Sequence, residues 1–211
     1  MWIVIFKTHL LQSLRRTSLN LVGCGVKQEA LIIAIDKEVG AVALVSVPYE
    51  YFERVTDEFS GIKHVKELEG DREKYLKEYF KPTLEKVQRK YPLEVKYYVK
   101  VDKYFWEDVE YLAKWGLELI VDDGLWSAVR DRFLDVQISL VKEGDIKNRI
   151  RKLKRELIKA KQEGDVRKED DIFSKLKLEK RRRTLIMIAD NYLHLKKRAI
   201  DKERRQRGRK H

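Results

Sequence analysis

Ala30-Leu-Ile-Ile-Ala-Ile35 is an apolar stretch of strand length that is followed by Asp36, and it decides the fold. The turn Lys37-Glu-Val-Gly40 leads to a second apolar run, Ala41-Val-Ala-Leu-Val-Ser-Val47, which Pro48 closes. Short apolar runs bounded by turn residues are typical of buried strands. The pattern predicts a β-hairpin or two adjacent strands at the start of a sheet.

Three further strands and four helices follow from the pattern downstream. Strands are expected at 93–101, 117–121 and 135–141, and helices at 49–59, 71–90, 104–115 and 125–133, with Pro82 as an expected kink. Asp71 and Asp102 stand where helix N-caps belong. The order β-β-α-α-β-α-β-α-β predicts an α/β fold with a three-layer, mostly parallel, Rossmann-like sheet.

The last third of the chain has a different pattern. Glu143-Gly-Asp-Ile-Lys147 and Glu163-Gly-Asp-Val-Arg167 repeat one another, with glycine suited to a helix C-terminus and aspartate to the next N-cap. Between them, apolar residues recur in steps of three and four from Ile146 to Ala160, which indicates one helix face packed inward. We therefore divide the chain into an N-terminal segment at 1–25, an α/β domain at 26–141, and a basic helical hairpin with a tail at 142–211.

Positive charge is concentrated in that last third. The chain has a formal net charge of +12, and residues 142–211 hold 26 Lys and Arg against 12 Asp and Glu, whereas the first 141 residues hold 21 against 23. A helix surface of intrahelical ion pairs would carry similar numbers of acids and bases. The asymmetry therefore predicts that residues 142–211 bind a polyanion.

RNA is the favoured polyanion because the sequence has no helix-turn-helix, zinc-finger or basic-zipper pattern. Its basic tail resembles arginine-rich RNA-binding segments. The basic helices lack an exposed Trp or Phe face, which argues against a membrane surface. The predicted RNA-binding residues are Lys147, Arg151, Lys154, Arg155, Lys177, Arg181, Arg182, Arg183, Lys196, Lys197, Arg198, Arg204, Arg205, Arg207 and Arg209.

Several other classes of protein are disfavoured by composition. Cys24 is the only cysteine and the four histidines are scattered, so we expect neither a disulfide nor a structural zinc site. The apolar start at 1–6 is shorter than a secretion signal or a membrane span, which predicts a cytoplasmic protein. Charged residues make up 39% of the chain, a composition typical of thermophiles.

Four aspartates follow predicted strands and form a candidate catalytic site. They are Asp36, Asp102, Asp122 and Asp123. At one edge of a parallel sheet they could converge and hold Mg²⁺ or Mn²⁺, as nucleases require. The alternative is that Asp102 is only a helix cap and that Asp122-Asp-Gly124 is only a turn. If these aspartates have only such structural roles, we expect neither a metal cofactor nor a catalytic residue.

The stretch from Tyr75 to Gly124 resembles the second half of a universal stress protein domain. It has a long helix, a strand at 93–101, a helix at 106–115 and then Leu119-Ile-Val121 before a turn, and Ile32-Ile-Ala-Ile-Asp36 resembles the family's first strand. The resemblance implies a Rossmann-like fold. The family's ATP-binding members have a glycine-rich loop where this chain has Asp122-Asp-Gly-Leu-Trp126, so ATP binding is not implied. Leu112-Ala-Lys-Trp-Gly116 to Asp123 is also similar to the late part of PIN-domain nucleases.

Three hypotheses about function follow. The first is a non-enzymatic RNA-binding protein, associated with the ribosome, whose α/β domain contacts a partner or a second copy of the chain. Aromatic residues are dense between Tyr97 and Trp126, and an exposed subset of them would suit a dimer surface. The second hypothesis is a metal-dependent nuclease that uses the strand-end aspartates. The third is a stress-response domain that binds a small ligand.

Overall fold

The computed structural model describes residues 30–68 and 70–208, and for residues 66 and 202–208 it describes the backbone alone. The predicted segment 1–25 and Arg209 lie outside the described residues. Five strands form one sheet: β1 (Leu31–Glu38), β2 (Ala41–Pro48), β3 (Glu94–Tyr98), β4 (Gly116–Val121) and β5 (Ser139–Lys142). The helices are α1 (Tyr49–Glu58), α2 (Arg72–Tyr75), α3 (Lys81–Lys90), α4 (Lys103–Ala113), α5 (Trp126–Arg132), α6 (Glu143–Glu163) and α7 (Val166–Gly208).

The sheet is mixed, with strand order β3-β2-β1-β4-β5. β2 runs antiparallel to both β1 and β3, whereas β1, β4 and β5 are mutually parallel. Of the two arrangements predicted for the first two strands, the hairpin is the one that forms, and the expectation of a mostly parallel sheet is corrected at β2. The two-residue turn at Val39 and Gly40 is too short for a crossover, so β2 has to return antiparallel to β1. Gly40 permits that turn because it adopts a positive φ of 78°.

Alternating residues of β1 divide between two hydrophobic clusters, one on each face of the sheet. Ile32 and Ala34 pack with residues of α1, α3, α6 and α7. Ile33 and Ile35 pack with residues of α4 and α5. A strand covered on both faces has no polar side, which explains the continuous apolar run from Leu31 to Ile35.

Both predicted helix caps are confirmed. Asp71 Oδ1 accepts hydrogen bonds from the backbone N–H groups of Glu73 at 2.8 Å and Lys74 at 3.0 Å. Asp102 Oδ1 accepts from the Phe105 N–H at 3.2 Å, at the start of α4. Pro82 stands in the first turn of α3, directly after a π-helical turn at Leu76–Phe80, so the long predicted helix continues past it with altered winding.

The helix α7 covers the face of the sheet that carries Ile32 and Ala34. Its residues Leu185, Ile186, Ile188, Ala189 and Leu193 are at most 1% exposed and belong to the same cluster as that face. Burial of a leucine or isoleucine side chain contributes roughly 1.5–3 kcal/mol. The middle of α7 is therefore part of the body of the protein, although the sequence assigned it to an appended arm.

Arginines near the middle of α7 attach it to the body. Arg181 pairs with Glu53 and Asp57 of α1, and Arg182 pairs with Glu118 of β4, where Nε lies 2.8 Å from Oε1. Arg181 is 7% exposed, so its guanidinium is held against body carboxylates instead of facing solvent.

A second polar attachment surrounds Asp190, whose side chain is 2% exposed. His64 Nδ1 and His194 Nε2 each lie 3.5 Å from an Asp190 oxygen, and the Val65 N–H donates to Asp190 Oδ2 at 3.5 Å. Burial raises the pKa of Asp190, but the histidines and this backbone donor outweigh burial and leave the pKa lowered. The carboxylate therefore ties α7 to the loop that contains His64.

The turn between α6 and α7 depends on Gly164, which adopts a left-handed φ of 69°. We expect Gly164→Ala to lower the free energy of unfolding by about 1 kcal/mol, because a residue with a Cβ is strained in the left-handed backbone conformation. An added Cβ would meet no neighbouring atom here, so this backbone strain is the whole effect. Urea unfolding would measure the change. Gly70→Ala is the control, since it also has open space around it without a positive φ; an equal loss in both variants would contradict the prediction.

None of the helices within the described residues is both long and apolar enough to cross a lipid bilayer.

Candidate metal centre

Three acidic residues stand in one row at the carboxyl ends of the parallel strands. Ile35 of β1 is the register partner of Val121 in β4, and Val121 is in turn the partner of Lys142 in β5. The residue after each of these is acidic: Asp36, Asp122 and Glu143. The backbone holds the row in place, because the Asp122 N–H donates to the Ile35 carbonyl at 2.9 Å.

The side chains of this row converge into what we call the carboxylate centre, formed by Asp36, Asp122 and Glu143. One carboxylate oxygen from each residue lies within 4.8 Å of the other two. Asp36 and Glu143 are each 7% exposed, and Asp122 is half-buried. Carboxylate oxygens in this number suit a hard divalent cation such as Mg²⁺ or Mn²⁺.

The electrostatics of the centre favour a cation. Burial raises the pKa of Asp122, and the carboxylates of Glu143 and Asp123 raise it further, although the Gly124 N–H at 2.8 Å opposes the shift. Lys147 Nζ lies 2.6 Å from Glu143 Oε1, at the edge of the centre. A divalent cation bound between the three carboxylates would offset their mutual repulsion.

The structure brings together two of the four predicted aspartates. Asp36 and Asp122 lie in the carboxylate centre, whereas Asp102 caps α4 and lies 3.8 Å from Lys100 Nζ. Asp123 lies beside the centre, where its Oδ1 accepts from the Gly144 N–H at 3.0 Å. A Cβ on Gly144 would lie 3.0 Å from Asp123 Oδ2, so a glycine allows this close approach.

Glu143 was missed as a site residue because the sequence analysis assigned Glu143-Gly-Asp to a helix junction. The signal that could have found it is the rule that selected the aspartates. Glu143 comes two residues after the predicted strand at 135–141, and β5 extends one residue further, to Lys142. The same Glu-Gly-Asp sequence recurs at Glu163, where no strand precedes it. This repetition led both copies to be interpreted as helix junctions, although only Glu143 follows a strand.

We expect Mn²⁺ to stabilise the protein in a pH-dependent way. The raised pKa means that the metal-free folded state holds the Asp122 proton more tightly than the unfolded state does. The protein therefore loses stability as the pH rises from the ordinary pKa of an aspartate through the raised pKa of Asp122. At a hundredfold excess over Kd, a bound ion adds about 2.7 kcal/mol. For a chain of this length, that raises Tm by roughly 5–11 °C.

Differential scanning fluorimetry at pH 5 and pH 8, with and without Mn²⁺, would measure this effect. The rise in Tm should be larger at pH 8, because protons compete with the cation at pH 5. A rise of the same size in Asp122→Asn would show that Mn²⁺ binds elsewhere on the protein.

Apart from Lys196, the predicted RNA-binding residues with described side chains fall into two groups. One group pairs with acidic side chains: Lys147 with Glu143, Arg181 with Glu53 and Asp57, Arg182 with Glu118 and Glu179, Arg183 with Glu67, Lys197 with Glu38, and Arg198 with Glu73. The other group is exposed and makes no ion pair with the described side chains: Arg151, Lys154, Arg155 and Lys177. Lys196 lies over the ring of Tyr192, with Nζ 5.3 Å from the centroid.

The side chains of Arg204, Arg205 and Arg207 lie outside the described part of the chain. Arg181 and Arg182 are removed from the set that could contact phosphate, because their guanidiniums are enclosed by body carboxylates. Among the predicted RNA-binding residues with described side chains, the exposed ones without an ion pair therefore lie on α6, at Lys177 and at Lys196.

Comparison of the chain with protein-family models, curated proteins and solved structures gave no match. The resemblance to universal stress proteins stays a prediction. β1 and β2 are joined directly by a turn, so a helix between the first two strands, as that family has, is absent from this described segment.

Proposed function

We propose that the protein is a divalent-metal-dependent nuclease whose metal ligands are Asp36, Asp122 and Glu143. The observation that carries the proposal is the convergence of three carboxylates, from the ends of three neighbouring parallel strands, within 4.8 Å. Sites of α/β proteins gather at this edge of a sheet. The proposal changes the order of the hypotheses drawn from the sequence, in which nuclease activity came second.

The residues of the centre have distinct roles in this proposal. Asp36 and Glu143, which are buried, fix the position of the cation, and Asp122, the most exposed of the three, is the ligand that the substrate would reach first. A cation bound there supplies Lewis-acid polarisation of a phosphate and a bound water of lowered pKa. Lys147, at 2.6 Å from Glu143, is placed to contact a phosphate oxygen of the same substrate.

A nucleic acid is the favoured substrate because of charge. The whole positive excess of the chain lies after residue 141, and the exposed bases of α6 begin at Arg151, about two helical turns from Glu143. In this proposal α6 and α7 form a helical hairpin that binds RNA or DNA beside the centre. Sequence alone favours RNA, and association with the ribosome and homodimer formation stay predictions that no observation here supports further.

A cleavage assay tests the proposal. End-labelled single-stranded RNA, single-stranded DNA and duplex DNA would be incubated with the full chain in Mg²⁺, in Mn²⁺ and in EDTA. We expect cleavage of at least one substrate with a metal and none in EDTA.

The matched variants are Glu143→Gln and Asp145→Asn. Each removes one negative charge near the start of α6, but Asp145 is exposed and lies outside the carboxylate centre. Cleavage should be lost in Glu143→Gln and retained in Asp145→Asn. The nuclease proposal is rejected if the wild type cleaves no substrate with either metal.

A further inference from the structure

One side of the α6–α7 pair carries five lysines and arginines, of which only Lys147 forms an ion pair with an acidic side chain of the described residues. On α6, Lys147, Arg151 and Lys154 follow Glu143 in steps of four, four and three, so all lie along the same side of the helix. On α7, Lys177 and Lys180 are three residues apart, and both are exposed. We call these five residues the basic flank.

Two ion pairs between the helices fix how α6 and α7 lie together. Arg149 Nε lies 3.0 Å from Glu179 Oε1, and Lys161 Nζ lies 3.5 Å from Glu169 Oε1. From the first pair to the second, the α6 residue number rises from 149 to 161 and the α7 residue number falls from 179 to 169. The two helices therefore run antiparallel. This register brings Arg151 level with Lys177, so the basic residues of both helices form one surface.

The other side of the same pair differs, because its lysines are neutralised within their own helix. Lys152 pairs with Glu156, Lys159 pairs with Glu163, and Lys175 pairs with Asp171. The excess positive charge is therefore concentrated on one side of the helix pair. It lies along the side that begins at Glu143.

Two exposed apolar side chains accompany the basic flank. Ile158 follows Lys154 by four residues and is 59% exposed, and Phe173 precedes Lys177 by four residues and is 57% exposed. A phenylalanine beside phosphate-binding cations suits the unstacked bases of a single strand, since bases stack on aromatic rings. In a duplex the bases are stacked inside and could not reach it.

We propose that a single-stranded nucleic acid binds along the basic flank and enters the carboxylate centre from that side. Entry of the nucleic acid into the carboxylate centre rests on the proposed nuclease function. Its path along α6 and α7 rests on the basic flank itself. At a rise of 1.5 Å per residue, the distance from Glu143 to Lys154 is about 16 Å. That length accommodates roughly five stacked nucleotides at 3.4 Å each.

A binding experiment without cleavage tests the path. Fluorescence anisotropy of a 20-nucleotide single strand, as RNA and as DNA, would be measured in EDTA against a duplex of the same length. Two triple variants lose the same charge: Arg151→Gln, Lys154→Gln, Lys177→Gln on the basic flank, and Lys152→Gln, Lys159→Gln, Lys175→Gln on the opposite side. Circular dichroism and Tm of each variant establish that it is folded.

We expect the basic-flank variant to weaken single-strand binding at least about tenfold and to reduce the slope of log K against log salt by roughly two, since each contact contributes about 0.7. The opposite-side variant should change affinity less than twofold. Phe173→Ala should weaken single-strand binding without changing the salt slope, because stacking releases no counterions. Comparison of the RNA and DNA arms shows which backbone the flank prefers.

The result that overturns the path is an equal loss in the two triple variants, or duplex binding as tight as single-strand binding. Failure of the nuclease proposal looks different. In that case the basic-flank variant still loses affinity for the strand, but the wild type cleaves nothing with Mg²⁺ or Mn²⁺.

Discussion

Asp122→Asn is expected to lower metal-dependent cleavage by at least about 10²-fold while leaving the metal-free protein as stable as the wild type, or more stable. The loss of activity follows from the loss of one anionic ligand, since even outer partners of a metal site contribute 10–100-fold. The stability follows from the raised pKa of Asp122, which means that its charge opposes folding at neutral pH. Asparagine retains an oxygen for the Gly124 N–H, which now lies 2.8 Å from Asp122 Oδ1.

This combination separates a catalytic ligand from a structural residue. Cleavage rates, urea unfolding in EDTA and the Mn²⁺-induced change in Tm would be measured for Asp122→Asn and for Asp135→Asn, an exposed aspartate in the loop before β5. Asp135→Asn should behave as wild type in all three measurements. If Asp122→Asn loses activity only because it unfolds, or keeps the full Mn²⁺ effect, the assignment of Asp122 as a ligand is wrong.

Arg182→Ala is expected to lower the free energy of unfolding by about 3–5 kcal/mol, because it leaves the buried carboxylate of Glu118 without its cation and leaves Glu179 with Arg149 alone. Arg182 bonds both oxygens of Glu118 and lies 2.6 Å from Glu179 Oε1, and the two glutamates are 7% and 6% exposed. A loss of this size corresponds to a Tm roughly 6–20 °C lower.

Lys180→Ala is the matched control for that measurement. It removes a cation from an exposed position of the same helix, two residues away, and should change stability by no more than about 0.5 kcal/mol. The double variant Arg182→Met, Glu118→Leu should recover much of the loss, because apolar side chains of similar volume often replace a buried ion pair without cost. An Arg182→Ala variant as stable as Lys180→Ala would mean that α7 is not held to the sheet at this point.

These contacts also decide how the basic segment can be studied. Deletion of residues 142–211 would remove Glu143 from the carboxylate centre and the α7 residues Leu185 and Ile188 from the core. Any loss of RNA binding in such a truncation would report unfolding as well as lost charge. Point substitutions on the exposed bases are therefore the sound test.

Local features of the sequence predicted much of the fold. The strand at Leu31–Glu38, the hairpin turn at Gly40 and the caps at Asp71 and Asp102 depend on residues close to one another, so pattern and turn chemistry suffice to find them. The orientation of β2 was left open because apolar runs of strand length look alike in parallel and antiparallel sheets.

The site was harder to predict because it depends on register between distant segments. Asp36 and Asp122 could be selected as strand-end residues, but only the pairing of β4 with β5 shows that Glu143 joins them. Asp102 does not join them, because it follows β3, which the strand order places at the opposite edge of the sheet. The charge count had a similar limit. It could not distinguish Arg181 and Arg182, which each have a carboxylate partner 64 to 128 residues away, from exposed bases such as Arg151.

The position of α7 at the end of the described chain has a consequence for biosynthesis. All five strands have been translated once residue 142 is complete, but the part of one apolar sheet face that α7 covers stays exposed until residues 185–193 have been added. Contacts such as that of Val65 with Asp190, 125 residues apart, can form only then. A nascent chain therefore exposes aggregation-prone surface for the time taken to synthesise about fifty residues, at 5–20 residues per second, and we expect it to depend on chaperone protection during those seconds.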